Sequence, residues 1–244
     1  MAVFVHHSGV RGVCDCALCG ICAAGIGSQR QDKGDQVVQR QEDQDSTLHI
    51  LAKTGFFFVL GTCMLHGFIR DGAITWTPTI LYRMDEGGAL SPAVFSLILP
   101  VLNFIGVMVG FALRRRGSRP HSVVSVMMIT AIVCALPLLV ALKSLALTAV
   151  LLGCMCAAMY GANTMLTGLI PFEYHRVGKT GMTAGLVDSC IYAGSALAGV
   201  LAGGVYEGMG AQALAALWAL SAVISILLMR VSGRMSAEYW KRFE

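Results

Sequence analysis

The sequence predicts an all-α polytopic membrane protein with six transmembrane helices. Three observations lead there. Of 244 residues, 56% are hydrophobic and 13% charged, against about 25% charged in soluble domains, and the mean hydropathy is +0.69. Six apolar runs, roughly 54–82, 91–113, 122–142, 145–169, 180–203 and 211–231, each reach the ~20 residues needed to cross a hydrocarbon core of about 30 Å. Basic residues gather in every second loop. The runs lack the two-residue alternation of a membrane strand, which speaks against strands, and 28 glycines suit membrane helices.

Residues 1–52 form an irregular amino-terminal segment. Val3 to Gly27 is moderately apolar but carries His6, His7, Arg11 and Asp15. Gln29 to Ser46 is polar, without apolar periodicity, and reads as a cytoplasmic linker. Cys14, Cys16, Cys19 and Cys22 make a C-x-C-x-x-C-x-x-C run, a spacing able to gather thiolates around zinc or an iron–sulfur cluster. Its Ala, Leu, Gly and Ile surroundings lack the polar framing of a metal module, so no metal and no cofactor is expected. The start of the chain reads as truncated or misassigned. The basic n-region of a signal peptide is missing.

The first span carries the chemistry. Arg70 and Asp71 lie near its middle, Arg70 about 24 Å along from Thr54 at 1.5 Å per residue. A charge at that depth costs about 3 kcal/mol on insertion scales and is generally turned toward protein or water. Neighbours at i and i+1 point about 100° apart, so the two need not neutralise each other, and Asp71 is free to pair with another helix. A guanidinium there offers a permanently charged fork for phosphate or carboxylate. Trp76 would supply an aromatic wall, and Thr75 and Thr77 hydroxyls would donate. The competing reading is a structural ion pair between helices. Gly72 and Pro78 give the helix places to bend.

The second span leads into a loop bearing Arg114, Arg115, Arg116 and Arg119, the densest positive cluster, fit for gating contacts with Glu173. Asn103 in the second span and Asn163 in the fourth are candidates for a cavity lining or for interhelical hydrogen bonds. In the fifth, Gly181, Gly185, Ser189 and Ala193 fall every fourth position, a flat face for a close helix neighbour. Asp188, in the same span, is a candidate for a polar path, for proton coupling, or for a backbone bond. Residues 233–244 read as a cytoplasmic tail. Five of the nine cysteines, Cys63, Cys134, Cys154, Cys156 and Cys190, lie in spans and read as packing. No loop cysteine pair points to a disulfide.

Positive loops stay inside. Arg114 to Arg119, then Arg176 and Lys179, then Arg230, Arg234, Lys241 and Arg242 therefore put both ends of the six-helix block in the cytoplasm of a cell (inner or plasma) membrane. No metalloprotease, nucleophile-elbow or P-loop motif is present, and His66 and His175 have no ligand spacing. The chain is expected to be no enzyme. No basic patch with interleaved aromatics points to nucleic acid.

The string R-x-G-x-x-x-W-x-P-T-x-L (Arg70, Gly72, Trp76, Pro78, Thr79, Leu81) resembles the seventh helix of organophosphate:phosphate antiporters. E-x-x-x-x-x-x-x-G-x-x-A-G (Glu173, Gly181, Ala184, Gly185) resembles the turn between their tenth and eleventh helices. Over residues 50–232 the chain looks like the carboxy-terminal six-helix half of a major facilitator superfamily transporter. That resemblance implies half of the superfamily fold and alternating-access transport of a small anionic, sugar-phosphate-like solute, with Arg70 on the substrate phosphate. Asp71, Trp76, Asn163 and Asp188 are the further binding candidates. The family has Tyr at the place of Asp71, an acid at the place of Thr75, and a second arginine from an amino-terminal half that lies outside this chain. The expected partners are the bilayer, the solute, and a missing or separate amino-terminal half or a second copy. The alternative is a non-transporting remnant or accessory subunit.

Overall fold

The computed structural model describes residues 47–85, 92–140 and 144–241, with side chains described outside 92–97. The packing below is that of one body, which excludes residues 1–45 and 176–178. The four amino-terminal cysteines lie outside the described residues.

Every regular element among the described residues is helical: α1 (Thr47–Lys53), α2 (Phe56–Met84), α3 (Pro92–Arg115), α4 (Pro120–Leu138), α5 (Leu145–Thr164), a π-turn (Met165–Leu169), the short α6 (Ile170–Phe172), a 3-10 turn (Glu173–Val177) and α7 (Thr180–Trp240). Five helices are long and apolar enough to cross a membrane. The last of them is two. Gly210 has φ 84° and ψ 178°, a conformation that favours glycine, and it divides α7 into arms 180–209 and 211–240, each about 45 Å long.

Side-chain contacts fix the directions. Gly55 abuts Ser232 and Met235, Gly61 abuts Leu228, and Gly72 abuts Trp218, so α2 and the second arm of α7 run antiparallel. Gly72 also meets Ala198, and Trp76 meets Gly203, so α2 and the first arm run parallel there. The chain therefore reverses at Gly210. Leu102 meets Gly153, Gly106 meets Ala157 and Gly110 meets Gly161, a constant offset that makes α3 and α5 parallel. With α7 counted as two arms, the described residues hold six long helices. The outward surface is apolar, with Phe104, Val133, Val200 and Leu227 each more than half exposed, as lipid-facing positions are and soluble surfaces rarely are. The chain is thus an all-helical, multi-pass membrane protein.

Three expectations change. The flat face of the fifth span meets no neighbour among the described residues: an added Cβ at Gly181 or Gly185 would meet nothing within 4 Å. Close approach is made elsewhere. A Cβ at Gly67 would overlap the Ile191 carbonyl, one at Gly194 the Met64 carbonyl, and one at Gly106 the Ala157 carbonyl, the small-residue contacts that membrane helices use. The last helix does not stop near residue 232. It runs to Trp240, burying Ser232, Ser236 and Tyr239, and the residues read as a tail are its final turns. The amino-terminal segment, finally, ends in a helix. α1 buries Ile50 and Leu51 and turns into α2 at Gly55, whose φ is 69°.

Candidate functional site

Arg70 is the centre of a polar cluster built on α2, α5 and the first arm of α7. Its Nε donates to Asp71 Oδ1 at 2.6 Å and its Nη2 to Asp71 Oδ2 at 3.0 Å. Its Nη1 donates to Asn163 Oδ1 at 2.8 Å. Asn163 Oδ1 also stands 3.3 Å from His66 Nε2. His66 is fully buried, one helical turn below Arg70 on the same face of α2, and its Nδ1 has no partner. Ser195 lies beside Asp71, and Tyr160 and Tyr192 are within electrostatic reach of the guanidinium.

Asp71, left free by the sequence to pair with another helix, pairs with its neighbour Arg70 and also bonds Ser195 of α7. Cβ directions 100° apart separate short side chains, but the three-carbon stem of Arg70 curls back and presents its fork to the adjacent carboxylate. The result is a bidentate pair on one helix rather than a bridge between two. Asn163 ties that pair to α5. Three of the five guanidinium N–H groups are engaged, leaving one each on Nη1 and Nη2. The Arg70 side chain is 14% exposed and that of Asp71 32%, so both reach the surface of the helical body. The pair carries no net charge, which is how a mid-membrane arginine becomes tolerable.

The other candidates are placed differently. Trp76 does not wall Arg70; its ring packs on Tyr206 at 4.9 Å and against Gly203, and Arg83 lies over Tyr206 at 5.0 Å. Thr77 is buried beside the Cys156 thiol, Thr75 is exposed, and the Asn103 Oδ1 is buried without a partner. Asp188 is exposed on the first arm of α7, outside the cluster. It shares a helix face with Tyr192 and Ser195, however, so a polar lane runs from Asp188 to the Arg70–Asp71 pair.

At the other end of the bundle, Glu173 does not contact the arginine loop directly. It accepts a hydrogen bond from Ser236 Oγ at 3.2 Å and faces His121 Nδ1 at 3.8 Å. Arg114 and Arg119 act on it across a longer distance. Arg114 donates to the Ser118 carbonyl at 3.0 Å, while Arg115 and Arg116 are exposed. Tyr174, next to Glu173, donates to Thr54 Oγ1 at 2.7 Å and packs edge-on to Phe56 and Trp240.

Among the described residues, no group of three or more His, Cys, Asp or Glu side chains is placed to hold a metal ion. The sequence reading missed His66, whose signal was its i,i+4 spacing to Arg70, and Tyr160, three residues before Asn163. Comparison with protein-family models, with curated proteins and with solved structures finds no match.

Proposed function

We propose that the chain is the six-helix half of a secondary transporter and moves a small anionic, sugar-phosphate-like solute by alternating access. The observation that carries this reading is the Arg70–Asp71 pair. It lies midway along a spanning helix, anchored from behind by Asn163 and His66, and it reaches the protein surface instead of being sealed inside. The ion pair itself is intrahelical, Asn163 of α5 and Ser195 of α7 hold it to the neighbouring helices, and two guanidinium N–H groups stay unspent. An arriving phosphate or carboxylate would take the guanidinium in exchange for Asp71, and Asp71, Ser195 and Tyr192 would line its path toward Asp188. In the superfamily this chain resembles, substrate sits at the midplane between two halves. The exposed polar lane would face such a second half, supplied by a separate amino-terminal body or by another copy.

The test is uptake of labelled glucose 6-phosphate or inorganic phosphate by cells producing the full chain. Arg70→Lys, which keeps the charge and loses the fork, should abolish uptake at unchanged membrane abundance. Undiminished uptake in that variant rules out the substrate role. Absence of flux in the parent chain, with and without a co-produced half, favours the accessory or remnant reading, for which the apolar, unmatched small-residue face at Gly181 and Gly185 is the supporting observation.

A further inference from the structure

A second basic site lies far from Arg70. The amino-terminal end of α4 and the carboxy-terminal end of α7 run antiparallel and leave a groove of about 430 Å³ between them, within the size range of small-molecule sites. Arg119 enters from α4, and Arg230 and Arg234 from α7. All three are exposed. Among the described residues no carboxylate lines the groove; Glu173 accepts a hydrogen bond from Ser236 and faces His121, and acts on Arg119 only across a longer distance. Ser122 adds a hydroxyl. Gly233 lets the two helices close at the groove's back, since a Cβ there would lie 3.2 Å from the His121 Cβ and 3.5 Å from its ring.

The groove changes character along the helix axes. Below the arginines its lining becomes Val126, Ile129 and Met229. The same face of α4 continues through Val133 and Leu136, and the face of α7 that carries Arg230 and Arg234 continues through Leu227 and Val223, all of them exposed. From Arg119 to Val133 is about 21 Å of helix. A ligand matching this site therefore has an anionic head of phosphate size and a long apolar extension lying in the membrane.

We propose that this groove binds an anionic phospholipid, its phosphate held by Arg119, Arg230 and Arg234 and one acyl chain lying between the exposed faces of α4 and α7. Arginine suits a phosphate because its planar fork makes paired hydrogen bonds, and basic pockets between spanning helices are a recurrent way of holding lipid head groups. The proposal uses the membrane-spanning architecture and does not depend on what the Arg70 cluster transports.

The experiment is binding of fluorescent phosphatidylglycerol to the full chain in neutral detergent, with fluorescent phosphatidylcholine as the uncharged comparison. Phosphatidylglycerol should bind more tightly by about a hundredfold, from a factor of roughly five for each arginine. The triple variant R119Q/R230Q/R234Q should erase that preference. R114Q/R115Q/R116Q, which removes equal charge from the adjoining loop, should keep it. Bound phosphatidylglycerol should also shield Arg230 and Arg234 from phenylglyoxal while Arg115 and Arg116 stay reactive. Equal loss in both triple variants would show general surface attraction and overturn the site. Complete displacement by millimolar inorganic phosphate would assign a free-anion site and overturn the lipid. A parent chain that does not prefer phosphatidylglycerol, or gives no shielding, overturns both.

Discussion

Arg70 and the trio Arg119, Arg230 and Arg234 carry the same functional group into opposite surroundings. Arg70 sits midway along a spanning helix and has a carboxylate on two of its nitrogens and an amide on the third. The trio sits at a helix end, lines one groove and has no carboxylate in its lining. The difference follows from what water supplies. Where little of a guanidinium is exposed, the protein must provide its partners, and it does so with Asp71, Asn163 and, behind them, His66. Where water reaches the group, partners are optional, and leaving them out keeps the positive potential available to a ligand. A satisfied arginine is thus what depth requires, and a cluster at the rim without a carboxylate in its lining is what the proposed lipid site requires.

The sharpest way to break this contrast is to remove the partner of the deep arginine. Asp71→Ala should cost about 3 kcal/mol of folded stability, the insertion penalty of an unpaired mid-membrane charge. The reading is the midpoint of unfolding in mixed micelles. The double variant Arg70→Gln/Asp71→Ala should recover much of that loss, because it removes the charge that was left alone. If the single variant is as stable as the parent, water already reaches Arg70 and the depth argument fails. Next in size is Asn163→Leu, which strips an acceptor from both Arg70 and His66 and should cost about 1–3 kcal/mol by the same measurement.

Much of this fold was legible in the sequence and much of the site was not, for separable reasons. Hydropathy located the long apolar helices and left a gap at 204–210 where α7 turns at Gly210, because lipid demands runs of apolar residues whatever their partners. It misjudged the last helix. Arg230, Arg234 and Glu238 lower the average there, while the positions that matter, Met229, Ser232, Ser236 and Tyr239, recur at helical spacing and are buried. Arg70 was conspicuous because a charge in such a run is costly. Its pairing with Asp71 was left open because Cβ geometry ignores the reach of a long side chain. Asn163 and His66 stand 97 residues apart in sequence, and no local pattern joins them. The small-residue face at Gly181 and Gly185 was visible as a pattern, yet pattern alone does not say which glycines meet a neighbour.

That last point gives the third prediction, which asks whether the cluster depends on the helix contacts around it. Gly194 packs against the Met64 carbonyl, on the segment of α2 that carries His66 and Arg70. Gly194→Ala must push α2 and α7 apart, at about 1–3 kcal/mol for overpacking. It should also weaken the solute binding proposed for Arg70 and leave the proposed lipid site between α4 and α7 unaffected. Gly185→Ala, with open space at its Cβ, is the matched control and should stay near the parent in stability.

The smallest effect tests the other side of the comparison. Arg230→Gln and Arg234→Gln together remove two charges from an exposed rim, where surface substitutions usually stay within about 0.5 kcal/mol. In lipid-free detergent the unfolding midpoint should therefore barely move. When phosphatidylglycerol is added, the parent should rise in stability, because a ligand that binds only the folded state stabilises it in proportion to the logarithm of its concentration over Kd, and the variant should not. A variant that is already destabilised without lipid would mean that the rim arginines hold the helices together by themselves, and the distinction between a satisfied deep arginine and a waiting peripheral trio would collapse.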